Sequence, residues 1–239
     1  MDKTLAFDIL PQPDDETCGP TCLHAVYRYF GEDVSLESII QDVPRLPEGG
    51  TLAVLMGLHA LSKGYRATLY SANLLVFDPT WFIEPKVDLP AKLSTQAAAK
   101  DDEKLKLACD AYSRFVQAGG VIHMTDLEGR LIRKFLDKDV PVITGTSSTY
   151  LYQSKRELPG TTIEDDIRGV PTGHFVVLSG YDRQRKEVRI ADPFPRNPAR
   201  SHTYTVSMNR VINAVLLGIV TYDANLLIIQ PPKSNVRSH

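Results

Sequence analysis

Gln12-Pro13-Asp14-Asp15-Glu16-Thr17-Cys18-Gly19-Pro20-Thr21-Cys22-Leu23 runs on into His24-Ala25-Val26-Tyr27-Arg28-Tyr29-Phe30-Gly31. Cys22, Val26 and Tyr29 recur at helical spacing, with Leu23 and Phe30 beside them. The pattern predicts a helix over residues 17–30, ended by Gly31. Cys18 therefore stands at a helix start. A thiol attacks a carbonyl only as thiolate. A free cysteine ionises near pH ~8.5, and lower at a helix N-terminus or beside a histidine. Pro20 falls in the first turn, where a missing N–H costs nothing. The positive end of the helix dipole, worth roughly half a charge, points at the sulfur. The competing role for such a cysteine is packing or capping.

Far downstream, Gly173-His174-Phe175 opens an apolar run, and Asp192 follows in Ile190-Ala191-Asp192-Pro193. Residues 175–181 and 187–191 alternate as two strands joined by Asp182-Arg183-Gln184-Arg185-Lys186, a hairpin by pattern. His174 at the mouth of the first strand can serve as a base. Asp192 at the end of the second can accept the other imidazole N–H and fix the tautomer. Gln12 can donate its amide N–H to a developing oxyanion, with the backbone N–H of Cys18 as second donor. Taken singly, each has an ordinary structural role. Taken together and in this order, Gln12, Cys18, His174 and Asp192 are the parts of a thiol-dependent acyl-transfer site.

Around these motifs, helices lead and strands follow. Residues 1–10 read as a strand or extended arm. Ser35 caps a second helix, residues 51–64 form a third, and 65–70 alternate as a strand. Asp78-Pro79, Glu84-Pro85 and Leu89-Pro90 punctuate an irregular stretch over 73–100. Residues 101–118 form a helix with Leu105, Ala108, Cys109, Tyr112 and Phe115 on its apolar face, followed by a short strand at 121–124. Thr125-Asp-Leu-Glu128 opens a helix to 138 with capping-box chemistry. Residues 140–144 are a buried strand, 150–172 a polar loop, 206–215 a helix and 224–230 a last strand. This is an α+β pattern, a helical N-terminal part against a C-terminal antiparallel sheet. We expect one domain over 1–230, with 72–118 as an insertion and 231–239 as a flexible tail.

Composition narrows the function. The chain has 239 residues, 43% hydrophobic, with a formal charge of −2. That supports a sizeable core and disfavours nucleic acid or an anionic membrane as partner. No apolar stretch is long enough to span a bilayer, and acids stand where the apolar core of a signal peptide would begin. Three cysteines do not make a disulfide framework. The expectation is a cytoplasmic protein. Cys18 and Cys22 with His24 or His174 could be drawn as a metal site, but zinc spacings are absent, so neither metal nor cofactor is expected. Cys22 and Cys109 read as core, and His24, His59, His123 and His202 as structural. Asp14, Asp15 and Glu16 read as a solvated loop, with attraction of a cationic substrate group as the sharper alternative.

Residues 12–23, the run Gly173-His174-Phe-Val-Val-Leu-Ser-Gly-Tyr-Asp182 and Ile190-Ala-Asp-Pro193 resemble the bacteriocin-processing double-glycine cysteine peptidases of the papain-like superfamily. The resemblance takes in residues 125–143 and leaves out roughly 72–118 and 150–172. It implies a papain-like fold, with Cys18 as nucleophile, His174 as base, Asp192 as orienting acid and Gln12 as oxyanion donor. Transporter-linked members carry membrane and ATPase domains; this chain shows no Walker motif, so a free-standing member is expected. The implied activity is hydrolysis of a peptide or isopeptide bond through a Cys18 acyl-enzyme. An acyltransferase or transpeptidase would use the same intermediate, and a non-catalytic peptide-binding module would keep only the fold. The implied partner is a peptide or amide substrate, with 72–118 as a lid, a substrate wall or a surface for a further protein.

Overall fold

The computed structural model describes residues 2–83 and 87–232. The tail expected from 231 therefore lies outside the described residues from 233 onward, as does Glu84-Pro85. Among the described residues, eight strands form one sheet: β1 (Lys3–Thr4), β2 (Arg66–Ser71), β3 (Val121–Met124), β4 (Val142–Ser147), β5 (Gly173–Asp182), β6 (Glu187–Ala191), β7 (Thr203–Ser207) and β8 (Asn225–Gln230). Their order is β3-β2-β8-β4-β5-β6-β7, with β1 added to the far end of β5. The helices are α1 (Cys18–Tyr29), α2 (Leu36–Asp42), α3 (Ala53–Ser62), α4 (Leu89–Ala99), α5 (Glu103–Gln117), α6 (Gly129–Leu136), α7 (Ser148–Tyr152) and α8 (Met208–Leu217).

The central strands β4, β5 and β8 are buried along almost their whole length. That is why Phe175-Val-Val-Leu and Leu226-Leu-Ile-Ile read as continuous apolar runs. Helix α1 lies on β5, and Leu23 and Val26 of α1 are fully buried. Each such side chain contributes about 1.5–3 kcal/mol by leaving water. Ser35 caps α2 as expected, its hydroxyl accepting from Ser38 N–H at 3.1 Å.

The structure departs from the sequence reading in places, each for a local reason. Leu89-Pro90 does not break the chain but opens α4: Asp88 caps it by accepting from Ala91 N–H at 3.0 Å, and Pro90 sits in the first turn. The helix after Thr125 begins only at Gly129, with Glu128 at its start and no side-chain cap, so the capping box does not form. The first three residues of the expected loop 150–172 belong instead to α7, which starts at Ser148 and is capped by Ser147. Strand β7 went unread because the Asn/Pro/Arg-rich stretch before it masks its alternation. The sheet is not wholly antiparallel: β2 and β3 run parallel. A parallel pair needs a crossover, and the segment 72–118 provides it through α4 and α5. Leu93, Tyr112 and Phe115 from that crossover are fully buried in the common core.

Candidate active site

Two walls meet at a cleft. One is the N-terminus of α1 with the loop before it; the other is the ends of β5 and β6. Two hydrogen bonds fasten them together. Cys22 Sγ donates to Phe175 O at 3.3 Å, and Gln12 N–H donates to Pro193 O at 2.9 Å. The first binds α1 to β5 one residue past His174. The second binds the Gln12 loop one residue past Asp192. Gly19 lets the walls close: a Cβ there would lie 2.6 Å from Thr51 Cγ2 and 3.3 Å from Phe175 Cδ2.

Cys18 is the first residue of α1, preceded by Thr17, which makes no side-chain cap. It shares a cavity of about 510 Å³ with His174 and Phe175. An adjoining cavity of about 360 Å³ holds Gln12, Tyr152 and Phe194 and shares Asp15, Glu157 and His174 with the first. The two are halves of one cleft divided by His174. All four residues singled out from the sequence thus line this cleft or stand directly behind it. A larger cavity, about 880 Å³, lies elsewhere, among Arg130, Arg133, Lys134, Arg183 and Lys186, and holds none of the four.

His174 Nε2 donates to Asp192 Oδ1 at 2.8 Å. Phe194 backbone N–H donates to the same oxygen at 2.9 Å. Tyr152 and Tyr204 hydroxyls both donate to Oδ2 at 2.7 Å. Asp192 is fully buried. Burial alone would push its carboxyl up, but the imidazole and the other donors hold it below the usual carboxylate range. The main chain of Asp192 is pinned as well: its N–H donates to His202 O at 2.9 Å, and His202 Nδ1 donates to its carbonyl at 2.7 Å.

For His174, burial opposes the charged ring. The Asp192 carboxylate outweighs it, the Cys18 thiol adds a hydrogen-bonding and charge contribution, and the ring is pushed up to about 10. Tyr152 and Phe194 enclose the ring, each with its centroid 6.0 Å away. Such an arrangement can hold a proton on the imidazole beside a sulfur, which is what thiol acyl chemistry requires.

Gln12 is buried, and its Nε2 donates to Asp14 O at 2.8 Å. That contact uses one amide N–H and leaves the second. Its Oε1 has no partner among the described residues. The acids before Cys18 are not bare: Asp14 and Glu16 pair with Arg45 at 3.6 and 3.3 Å, and Asp15 with Arg196 at 3.2 Å.

The sequence reading missed Tyr204 altogether, and for Tyr152, in an irregular stretch, it preferred packing to lining a cleft. The alternation of β7 could have flagged Tyr204, since it stands opposite Ile190, two residues before Asp192. Cys22 and Cys109 are buried in the core, and Cys22 is pushed well up by burial. His24 Nε2 donates to Val34 O at 3.1 Å and lines neither half of the cleft. Among the described residues, no group of three or more His, Cys, Asp or Glu side chains is placed to hold a metal ion. Nor is any described helix long and apolar enough to cross a membrane.

A family model described as "Peptidase_C39 like family" matches residues 89–214, more than half of the chain. That stretch holds His174 and Asp192; Cys18 lies before it. None of the curated proteins matches. Among solved structures, the chain is similar to the peptidase domain of Streptococcus ComA, a bifunctional ABC transporter of a quorum-sensing pathway. The two are 14% identical, with 95% of this chain and 99% of that chain covered and a TM-score of 0.44. A Bacillus anthracis protein described as a C39-like peptidase is 16% identical over 97% of this chain and 99% of that chain, with a TM-score of 0.49. A double-glycine-motif protease from an AMS/PCAT transporter, solved with its leader peptide, is 15% identical over 96% of this chain and 94% of that chain, with a TM-score of 0.44.

Proposed function

The chain belongs to the Peptidase_C39-like family and is a cysteine peptidase-like hydrolase; on that premise we propose that Cys18, His174, Asp192 and Gln12 form its catalytic set. Cys18 Sγ attacks the carbonyl carbon of a peptide or isopeptide bond. Its proton resides on His174 Nδ1, the ring atom left once Nε2 has bonded Asp192. The oxyanion that forms takes hydrogen bonds from the backbone N–H of Cys18 and the remaining amide N–H of Gln12. His174 then protonates the leaving amine as the C–N bond breaks, giving a thioester on Cys18. A water molecule, deprotonated by His174, cleaves the thioester and releases the acid. Asp192 keeps its charge throughout and holds the ring in register.

The observation that carries this reading is the shared cleft of Cys18 and His174, with His174 locked from behind by a buried carboxylate. Segment 72–118 reaches the same cleft through Lys104, which supports its role as a substrate wall rather than a separate module. The test is alkylation near neutral pH. Cys18 should react with iodoacetamide well ahead of Cys22 and Cys109 in the folded protein. Equal rates for the three would remove the nucleophile, and so would a peptide library still cleaved by Cys18→Ala.

A further inference from the structure

Asp223 is a carboxylate that the catalytic scheme does not use. It sits between β8 and the 3-10 turn Gly218–Thr221, with its residue only 5% exposed. It lines the same cavity as Cys18 and His174. Its Oδ1 has no partner among the described residues. The backbone N–H of Ala53, at the start of α3, lies near enough to favour the charged form of the carboxyl, though burial outweighs it.

The chain is shaped to hold it there. Tyr222 and Ala224, on either side, both adopt the left-handed conformation, with φ of 69° and 59°. That is strained for residues with a Cβ. Opposite, Gly145 leaves the room that the carboxyl occupies: a Cβ there would lie 2.6 Å from Asp223 Cγ. The turn also abuts the catalytic strand, because a Cβ on Gly173 would come within 2.8 Å of Thr221 Oγ1.

A buried carboxylate with an unmet oxygen is costly unless it is protonated or meets a cation. Among the described residues no cation is paired with Asp223, and the Lys104 charge only partly offsets its burial. Each rim acid of the cavity that has an ion pair has its own partner: Asp15 with Arg196, Glu16 with Arg45, and Glu48 with Lys104. Lys104, 3.5 Å from Glu48 and over the Tyr222 ring, is thereby occupied. We propose that Asp223 is a specificity-determining residue that takes a cationic group of the substrate, an ammonium or guanidinium, next to the bond attacked by Cys18. This rests on the peptidase reading above and specifies its substrate class.

The experiment uses tripeptidyl acyloxymethyl ketones that alkylate an active-site thiol. They carry lysine, norleucine or glutamate at the residue bearing the ketone or at the one before it. The lysyl probe should modify Cys18 about tenfold faster than the norleucyl probe at one of the two positions, the order of effect a close charge pair produces. In Asp223→Asn that ratio should fall to near one. The ratio within each protein cancels any general change in thiol reactivity. Equal lysyl and norleucyl rates in the wild type overturn the proposal. So does a preference that survives Asp223→Asn, or one abolished instead by Glu157→Gln. Should the variant not fold, the lysyl adduct of the wild type decides: its ammonium must lie against Asp223 in the crystal structure, and any other place for it overturns the assignment. Failure of every probe and of iodoacetamide to modify Cys18 would instead sink the peptidase reading itself.

Discussion

Asp192 and Asp223 are both buried at the one cleft, Asp192 bonded to His174 and Asp223 lining the cavity that Cys18 shares with His174, and their environments set them to opposite states. Asp192 collects four donors: one imidazole, two phenols and one backbone N–H. Its carboxyl stays below the usual range despite complete burial. Asp223 Oδ1 has no partner among the described residues, the Ala53 N–H and Lys104 offset burial only in part, and burial pushes the carboxyl up to about 7. Burial is common to the two; the number of donors is not. The lesson is that a buried acid is kept charged by hydrogen bonds already built into the fold, and left poised where those bonds are missing. The first condition suits a residue that orients a base. The second suits a residue that waits for a ligand.

The strongest way to break the comparison is to remove the charge from the satisfied site. Asp192→Asn keeps the shape but loses the negative charge opposite His174 Nε2. It also allows an amide N–H where an acceptor stood, so the ring is no longer held in the right tautomer. On peptides cleaved by the wild type, kcat should fall about 10⁴-fold, the size of loss seen when an orienting carboxylate is replaced by its amide. Turnover retained within tenfold would mean that Asp192 is structural. The same variant should lower the upper pH limit at which the imidazolium persists, since Asp192 is what raises His174 against the effect of burial.

The next effect is on stability, at the unsatisfied site. Asp223 is raised from 3.8 to about 7 in the fold. The neutral carboxyl is therefore the form the fold prefers. Its contribution is complete below pH 3.8 and is lost as the pH rises through about 7. At about 1.4 kcal/mol per unit, the window is worth up to about 4 kcal/mol. Lys104 and the Ala53 N–H oppose the shift and are included in it. Asp223→Asn has no such loss, so its stability relative to the wild type should climb between pH 4 and pH 8. Urea midpoints at those two pH values measure it. A difference between the two proteins that does not move with pH would show that Asp223 is ionised throughout.

The two acids also differ in how far the sequence discloses them. Asp192 was legible because chain order is a property of sequence: a cysteine at a helix start, a histidine opening an apolar run and an aspartate ending the next strand need no coordinates. The elements that carry them were legible from periodicity, as in α1, α5, β5 and β6. Asp223 was not. Tyr222-Asp-Ala224 has no spacing that announces burial, and what buries it comes from α3, β4 and Gly218, far apart along the chain. Tyr152 and Tyr204 escaped for the same reason, since their hydroxyls meet only when β6, β7 and α7 are assembled. At α4, Pro90 was taken as punctuation, yet a proline in a first turn starts a helix as readily as it ends one.

The smallest predicted effect returns to Asp192 and asks whether its donors act as argued. Tyr204→Phe removes one hydroxyl from Oδ2 and leaves the ring, the strand and the other three donors in place. A hydrogen bond to a charged group is worth about 1.5–3 kcal/mol, so kcat should drop by roughly ten- to a hundredfold. A merely structural tyrosine could lower stability but would not move the pH profile. Losing a donor raises the carboxyl of Asp192, so the acidic limb of the kcat profile should shift to higher pH in Tyr204→Phe. Tyr152→Phe should do the same through the same oxygen. Because both hydroxyls serve Oδ2, the double variant should lose more than the sum of the two single losses, in the way shared networks behave. Strict additivity, with an unmoved acidic limb, would mean that the two phenols pack beside Asp192 without setting its charge, and the contrast with Asp223 would then rest on His174 and the Phe194 N–H alone.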